Sequence, residues 1–346
     1  MKIYLVGGAV RDFVLKINNT KDKDWVVVGG SPDYFLNNGY QQVGKDFPVF
    51  LHPETNEEYA LARIERKTGT GHQGFSCYAE PNVTLEQDLS RRDLTINAMA
   101  MDDTNNIIDP FNGMSDCSTK TLRHVSHAFV EDPLRCLRLA RFAAQLPGFK
   151  VAPETLKLCQ QMVADGAIND LSKPRIWQEW HKALKCSDPN RFFEVMSDIG
   201  GLDNIQHLEF SKLTTAAERF ALFCSNYNAA SSIISVTAPP KSYEQLAKLL
   251  IKSQKADEPK TSEQIFNLLS MTDAFRRPEL LHSWLKVAQV SPKFAHWCNF
   301  EKINDAFIAA SNINIAKIVS SGELSGKEIG LAIDAARIAA IKKILK

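Results

Sequence analysis

The segment 5–28, LVGGAVRDFVLKINNTKDKDWVVV, joins an apolar strand, a Gly-Gly turn, a short helix and a second strand headed by two carboxylates. Val6 leads into Gly7-Gly8, where the missing Cβ lets backbone N–H groups come close to a ligand. The helix that starts at Ala9 presents its positive end to an anion, and Arg11 in its first turn can hold a phosphate bidentately. Asp22 and Asp24 flank Lys23 just ahead of Trp25-Val26-Val27-Val28. With a strand period of two, both carboxylates project from one face. That arrangement suits Mg²⁺, which takes a few carboxylates and completes its shell with water and substrate phosphate. A Gly-Gly pair alone is usually a turn, and a lone Asp-X-Asp usually a solvated loop. Here both occur close together, each attached to an apolar strand, and together they are the equipment of two-metal nucleotidyl transfer.

The length of 346 residues fits two or more domains, or one domain with an extended helical arm. A formal net charge of +1 excludes a globally basic chain, so any nucleic-acid-binding surface must be a local patch. The seven cysteines are scattered without a C-x-x-C pair, which argues against a disulfide framework and a structural zinc site. The opening MKIYLVGGAVRD is too short and too charged for a signal peptide, and no apolar run approaches the roughly 18 residues of a membrane span. The expectation is a reduced, cytoplasmic, monomeric protein without membrane attachment.

Residues 1–110 alternate short apolar runs with Gly, Asn, Asp and Pro, a pattern of strands and turns. Pro48-Val49-Phe50-Leu51 and Tyr59-Ala60-Leu61-Ala62 flank a polar connection and predict a hairpin; Glu58 opens its second strand, where an exposed strand-start residue is the favoured reading and a third metal-site acid the alternative. Residues 63–76, RIERKTGTGHQGFS, predict a mobile loop of the kind that carries function on a rigid scaffold. From about residue 130 the periodicity turns helical, with stretches predicted at 134–142, 153–165, 174–186, 189–198, 212–228, 242–253, 261–270, 276–288, 303–320 and 326–345.

Two further clusters carry chemistry. In Ser90-Arg91-Arg92-Asp93-Leu94-Thr95-Ile96-Asn97, Arg92 can bind a triphosphate, while Asp93 and Asn97 can hydrogen-bond a ribose hydroxyl; a capped, charged helix start is the plain alternative. Asp109-Pro110-Phe111-Asn112-Gly113 is expected to be a structural turn. In Glu131-Asp132-Pro133-Leu134-Arg135, Pro133 suits a helix's first turn, and Asp132 and Arg135 are neighbours on its surface. They could form a local ion pair. Alternatively, a carboxylate beside a guanidinium matches the donor and acceptor on the Watson–Crick edge of cytosine or adenine, and fails against guanine and uracil. Arg138 and Arg141 continue the basic strip.

As a set, these motifs resemble the class II tRNA nucleotidyltransferases, the bacterial CCA-adding enzymes with a polymerase-beta-like head. LVGGAVRD with DKDWVVVG resembles the family's metal-binding motif, RRDLTINAMA its ribose-selecting motif, EDPLRCLR its protein template for the base, ARIERKTGTGHQGF its flexible loop, and Ser172-Lys173-Pro174-Arg175-Ile176-Trp177-Gln178-Glu179 its neck helix. The likeness is close over the first 185 residues and weaker beyond. It implies an α+β fold: a nucleotidyltransferase head with a mixed sheet over 1–140, an all-α neck over 141–205, and a helical body and tail over 206–346. It further implies that Asp22 and Asp24 bind Mg²⁺, and that Gly8, Arg11, Arg92 and Asp93 contact triphosphate and ribose. Asp132, Arg135, Arg138 and Arg141 would select and hold the base. The tRNA 3′-hydroxyl would attack the α-phosphorus of CTP or ATP and release pyrophosphate, with the helical arm on the tRNA acceptor stem and elbow.

One departure stands out. Many relatives carry a C-terminal phosphohydrolase domain with a His-Asp motif; this chain has Phe220-Ala221-Leu222-Phe223-Cys224-Ser225-Asn226 at that place and no His-Asp dipeptide anywhere. A degenerate helical remnant is expected there. The rival readings are a poly(A) polymerase or an enzyme adding only CC or only A, and a tRNA-binding protein without catalysis. Intact Asp22, Asp24 and Arg92 argue against the last.

Overall fold

The protein is described from a computed structural model that covers residues 1–17, 23–43, 49–67, 75–78, 80–203, 205–319 and 326–346, with backbone alone for 65–67 and 75–78. It divides into two units, Met1–Ile205 and Gln206–Lys346.

The first unit is built on a mixed sheet. Strands β1 (Lys2–Val6), β2 (Asp24–Val28), β3 (Gln41–Val43), β4 (Val49–Leu51) and β5 (Glu58–Leu61) form most of it, and the ribbon β6 (Ile64–Lys67) with β7 (Phe75–Tyr78) pairs separately. Two short strands, β8 (Ala100–Met101) and β9 (Ile107–Ile108), close one edge, giving the order β3-β4-β5-β2-β1-β8-β9. Neighbours run antiparallel except β2 and β5, which are parallel with Asp24 opposite Glu58. The predicted hairpin is present as β4–β5, with Phe50 opposite Tyr59.

The apolar run of β2 follows from burial on both faces. Val26 packs with Val6, Ala62, Leu89 and Ala98, whereas the next residue, Val27, packs with Phe35, Phe50 and Leu61. Successive side chains point to opposite faces, so a strand covered on both sides reads as continuous hydrophobicity. Helices α1 (Gly8–Val14), α2 (Pro32–Asn37), α3 (Leu85–Ser90) and α4 (Gly113–Ser118) decorate this sheet. The turn at 109–113 is structural: Asp109 accepts the N–H groups of Gly113 and Met114 at 2.7 and 2.9 Å. A Cβ on Gly113 would collide with the Thr95 carbonyl oxygen. A parallel bridge of β10 (Thr121–Leu122) with β11 (Lys150–Val151) links the sheet region to the helices that follow.

Those helices are α5 (Leu134–Gln145), α6 (Pro153–Ala164), α7 (Lys173–Leu184) and α8 (Asn190–Asp198). Helix α5 is buried on nearly every side, with α7 and α8 packed against it. It stops before Pro147-Gly148, where Gly148 adopts a φ of 82°.

The second unit contains α9 (Ala216–Asn226), α10 (Ala230–Thr237), α11 (Lys241–Ser253), α12 (Ser262–Met271), α13 (Pro278–Val290), α14 (Phe300–Ser311), α15 (Ile315–Val319) and α16 (Lys327–Ile344). The segment 220–226 is the C-terminal half of α9, buried on nearly every side: Phe220, Ala221, Leu222 and Phe223 are fully enclosed, and α11 and α13 pack on that helix. Among the described residues no group of three or more His, Cys, Asp or Glu could hold a metal, and no helix is long and apolar enough to cross a membrane.

Three expectations change. The stretch 63–76 is not all loop, since its flanks pair as β6 and β7, Ile64 opposite Tyr78 and Lys67 opposite Phe75; its Gly-Thr centre lies outside the described residues. The helix expected over 303–320 is two, α14 and α15, interrupted at Asn312-Ile313-Asn314, where Asn side chains compete for backbone groups. Helix α10 was not expected, because Ser and β-branched residues form helices poorly and it takes tertiary packing to hold one.

Candidate active site

The Gly-Gly turn, the start of β2, the segment 91–97, the start of α5 and the start of α7 converge on one cavity of about 610 Å³. It is lined by seven arginines (Arg11, Arg91, Arg92, Arg135, Arg138, Arg141 and Arg175) against three acids, Asp24, Asp93 and Asp132. A chain of net charge +1 thus concentrates cationic groups in one concave place, where low-dielectric walls focus the field on an anion. Of the residues singled out in sequence, Gly8, Arg11, Asp24, Arg92, Asp93, Asp132, Arg135, Arg138 and Arg141 all line it. Asp22 lies outside the described residues.

Backbone geometry sets the entrance. Gly7 precedes α1 with a φ of 71°, and a Cβ there would come within 3.1 Å of Arg92 Nη1. The tight turn therefore needs glycine both for its left-handed backbone and for the closeness of Arg92. Asp24 heads β2 nearby, and the parallel register puts the exposed Glu58 beside it.

The arginines are held by a buried polar network. Arg11 is 4% exposed; its Nη1 donates to Asn97 Oδ1 at 2.9 Å, and Asn97 Nδ2 donates to Asp93 Oδ1 at 3.1 Å. Asp93 Oδ2 in turn accepts Nε of Arg138 at 2.7 Å and its Nη2 at 2.6 Å. Burial pushes the Asp93 carboxyl up, but Arg138, Asn97 and the Leu94 N–H pull it far below the usual carboxylate range. Asp88 behaves alike: buried, it is held low by Arg91 at 3.0 Å and Arg92 at 3.3 Å. Arg92 Nη1 also donates to the Asn97 carbonyl at 3.4 Å, while its buried Nε has no partner among the described residues.

The base-reading pair is arranged differently from its sequence expectation. Asp132 and Arg135 do not pair with each other. Asp132 Oδ1 accepts the Leu134 N–H at 3.2 Å and Oδ2 accepts Arg175 Nη2 at 2.9 Å. Arg135 gives Nη1 to the Ala128 carbonyl at 2.7 Å and Nη2 to the Arg91 carbonyl at 2.6 Å. The reason is local: Asp132 ends the 3₁₀ turn His127–Glu131 with extended backbone, and Pro133 is the cap of α5. The two side chains therefore do not sit on one regular helix.

Arg138 and Arg141 are likewise not a free basic strip. Arg141 donates Nε to Glu179 Oε2 at 2.6 Å and Nη1 to Gln145 Oε1 at 2.6 Å, and its guanidinium lies 3.8 Å from the Phe142 ring centre. Arg11 and Arg138 approach the same ring at 5.4 and 5.6 Å. Burial lowers the Arg141 guanidinium, opposed by Glu179. Sequence reading assigned no role to Phe142, Gln145, Arg175 or Glu179 individually. A signal existed for the last two: they sit one turn apart on α7, on the side of its buried residues Ile176, Trp180 and Ala183, where unpaired charge is costly.

Comparison with known proteins follows the same lines. Residues 3–123 match the family described as the poly A polymerase head domain, and residues 148–209 the one described as a probable RNA and SrmB-binding site of polymerase A. The multifunctional CCA protein of Aliivibrio salmonicida (strain LFI1238) is 40% identical over 407 aligned positions, covering 100% of this chain and 99% of that protein. That of Vibrio campbellii (strain ATCC BAA-1116) is 58% identical over 204 residues, 58% of this chain and 50% of that protein. In fold, the chain resembles the Bacillus stearothermophilus CCA-adding enzyme in complex with CTP, with a TM-score of 0.69 at 24% identity over 99% of this chain and 89% of that one. It also resembles the Thermotoga maritima CCA-adding enzyme complexed with tRNA, with a TM-score of 0.63 at 21% identity, over 99% and 90%.

Head, cavity and sequence likeness define a nucleotidyltransferase of the poly A polymerase head class. Within that class the chain belongs to the multifunctional CCA protein family.

Proposed function

We propose that this protein adds C, C and A to the 3′ end of tRNA from CTP and ATP without a nucleic-acid template, serving tRNA maturation and repair. The enzyme is a CCA tRNA nucleotidyltransferase. The observation that carries the reading is the convergence of three separate sequence clusters, around Gly7, Arg92 and Asp132, on one cationic cavity large enough for a nucleoside triphosphate. Family membership at 40% identity over the whole chain supports it.

In this reading Arg11 and Arg92 hold the triphosphate against the Gly7-Gly8 turn. Asp93 and Asn97 keep Arg11 and Arg138 aimed at the nucleotide. Asp132 and Arg135 read the base, the Asp132 carboxylate keeping acceptor capacity beyond its contacts with Leu134 and Arg175. The family implies a divalent metal, and hard carboxylate donors at the head of β2 fit one: Asp24 with Asp22 would hold Mg²⁺, Glu58 standing beside Asp24 in register. When bound, such a cation polarises phosphate oxygens and lowers the pKa of an attacking hydroxyl. Catalysis by the chain itself is positional and electrostatic. Exposed Lys248, Lys252 and Lys255 line a cavity of about 720 Å³ between α10 and α11, a surface suited to tRNA phosphates. The cytoplasm is the compartment proposed for this reaction.

Single-nucleotide incorporation into a tRNA transcript lacking CCA tests the reading. CTP should be used and UTP and GTP refused; equal use of all four nucleotides would remove the role given to Asp132 and Arg135.

A further inference from the structure

Arg175 and Glu179 stand one turn apart on α7, and each holds one side chain that lines the cavity, Asp132 and Arg141 respectively. The second contact is deeply buried, on the helix that also buries Ile176 and Trp180. The first is not: the side chains of Arg175 and Asp132 are 22% and 26% exposed, at the cavity surface. The Arg175–Asp132 pair therefore lies where a ligand in the cavity would meet it.

Asp132 needs an external restraint. It lies between the 3₁₀ turn and α5 with extended backbone, and the terminal torsion of an aspartate is broad rather than locked in a narrow well. The Leu134 N–H holds Oδ1; the Arg175 guanidinium holds Oδ2 and so fixes the carboxylate plane. One lone pair on each oxygen stays available. We propose that Arg175 is a positioning residue for nucleotide selection: it orients Asp132 so that a remaining lone pair meets the exocyclic amine of cytosine or adenine. The inference rests on the base-reading role given to Asp132 above. A fixed carboxylate also rejects the carbonyl of uracil or guanine, because oxygen would face oxygen with no donor between them. An aspartate free to rotate would turn away and lose that rejection.

The test uses the full chain and a tRNA transcript lacking CCA, with kcat/KM measured for CTP and UTP. Arg175→Met should lower the CTP-to-UTP selectivity by about 10-fold or more, through a higher KM for CTP and new incorporation of U, with the KM for tRNA unchanged. Arg175→Lys keeps the charge but not the planar fork and should recover part of the selectivity. Arg175→Gln replaces Arg175→Met if that variant fails to fold. Unaltered selectivity in the neutral variant, whatever happens to kcat, overturns the inference. Asp132→Ala separates the two levels. If it leaves selectivity intact, the base-reading role itself fails; if it abolishes selectivity while the Arg175 variants keep it, only the role of Arg175 falls.

Discussion

Arg141 donates Nε to Glu179 Oε2 at 2.6 Å, between side chains that are only 9% and 4% exposed. The contact ties α5 to α7 at the cavity wall, and Gln145 and the Phe142 ring complete the surroundings of the guanidinium. Breaking a buried pair from one side strands the other charge, so Glu179→Ala should destabilise the first unit by about 3 kcal/mol. A urea titration reads this as an earlier midpoint for that unit; a shift below 1 kcal/mol would mean that Arg141 finds another partner.

Gly7 combines a left-handed backbone with a near contact to Arg92 Nη1. Gly7→Ala should cost about 1 kcal/mol of stability and displace the Arg92 guanidinium. The KM for nucleotide should rise well before tRNA binding changes. Equal losses in both would point to disruption of the head as a whole.

Asp93 couples pH to stability. Its folded pKa lies below the unfolded value of about 3.9 because burial is outweighed by Arg138 and its hydrogen bonds. Between those two values the unfolded chain holds the extra proton, so stability rises with pH there. The contribution is fully present above about pH 5 and is lost as pH falls below about 4. The stability gap between the native protein and Asp93→Asn should therefore narrow on acidification, measured by chemical unfolding at neutral pH and in acid. A gap that widens would reverse the sign assigned here.

Lys248, Lys252 and Lys255 give the proposed tRNA contact a salt signature. Replacing all three with alanine should weaken tRNA binding and lower the slope of log affinity against log salt by roughly one for each lysine engaged. The KM for CTP should hold. Lys248 already faces Glu244 at 2.5 Å, so its share should be the smallest. An unchanged slope would place the tRNA elsewhere.

Much of this was readable in the chain. Spacing alone located the Gly7 turn, the approach of Asp24, the β4–β5 hairpin and most helices, because those depend on local periodicity and on glycine's freedom. The likeness of motifs supplied the fold class. What could not be read was who pairs with whom. Asp132 and Arg135 are close in sequence yet turn to Arg175 and to backbone carbonyls, and Asp93 meets Arg138 across 45 positions. Such choices are made by tertiary packing, which places α7 beside α5, and no local pattern encodes them. Helix α10 was missed for a related reason, since its Ser, Val, Ile and Thr residues favour a helix only once Ile233 and Ile234 are buried.

The most direct measurement is extension of a tRNA transcript lacking its 3′ CCA, in Mg²⁺, followed by sequencing of the product ends. CTP alone should yield two added C residues, and CTP with ATP should yield CCA and stop. Ladders of A, arrest after CC in the mixture, or no product at all would contradict CCA addition by this protein.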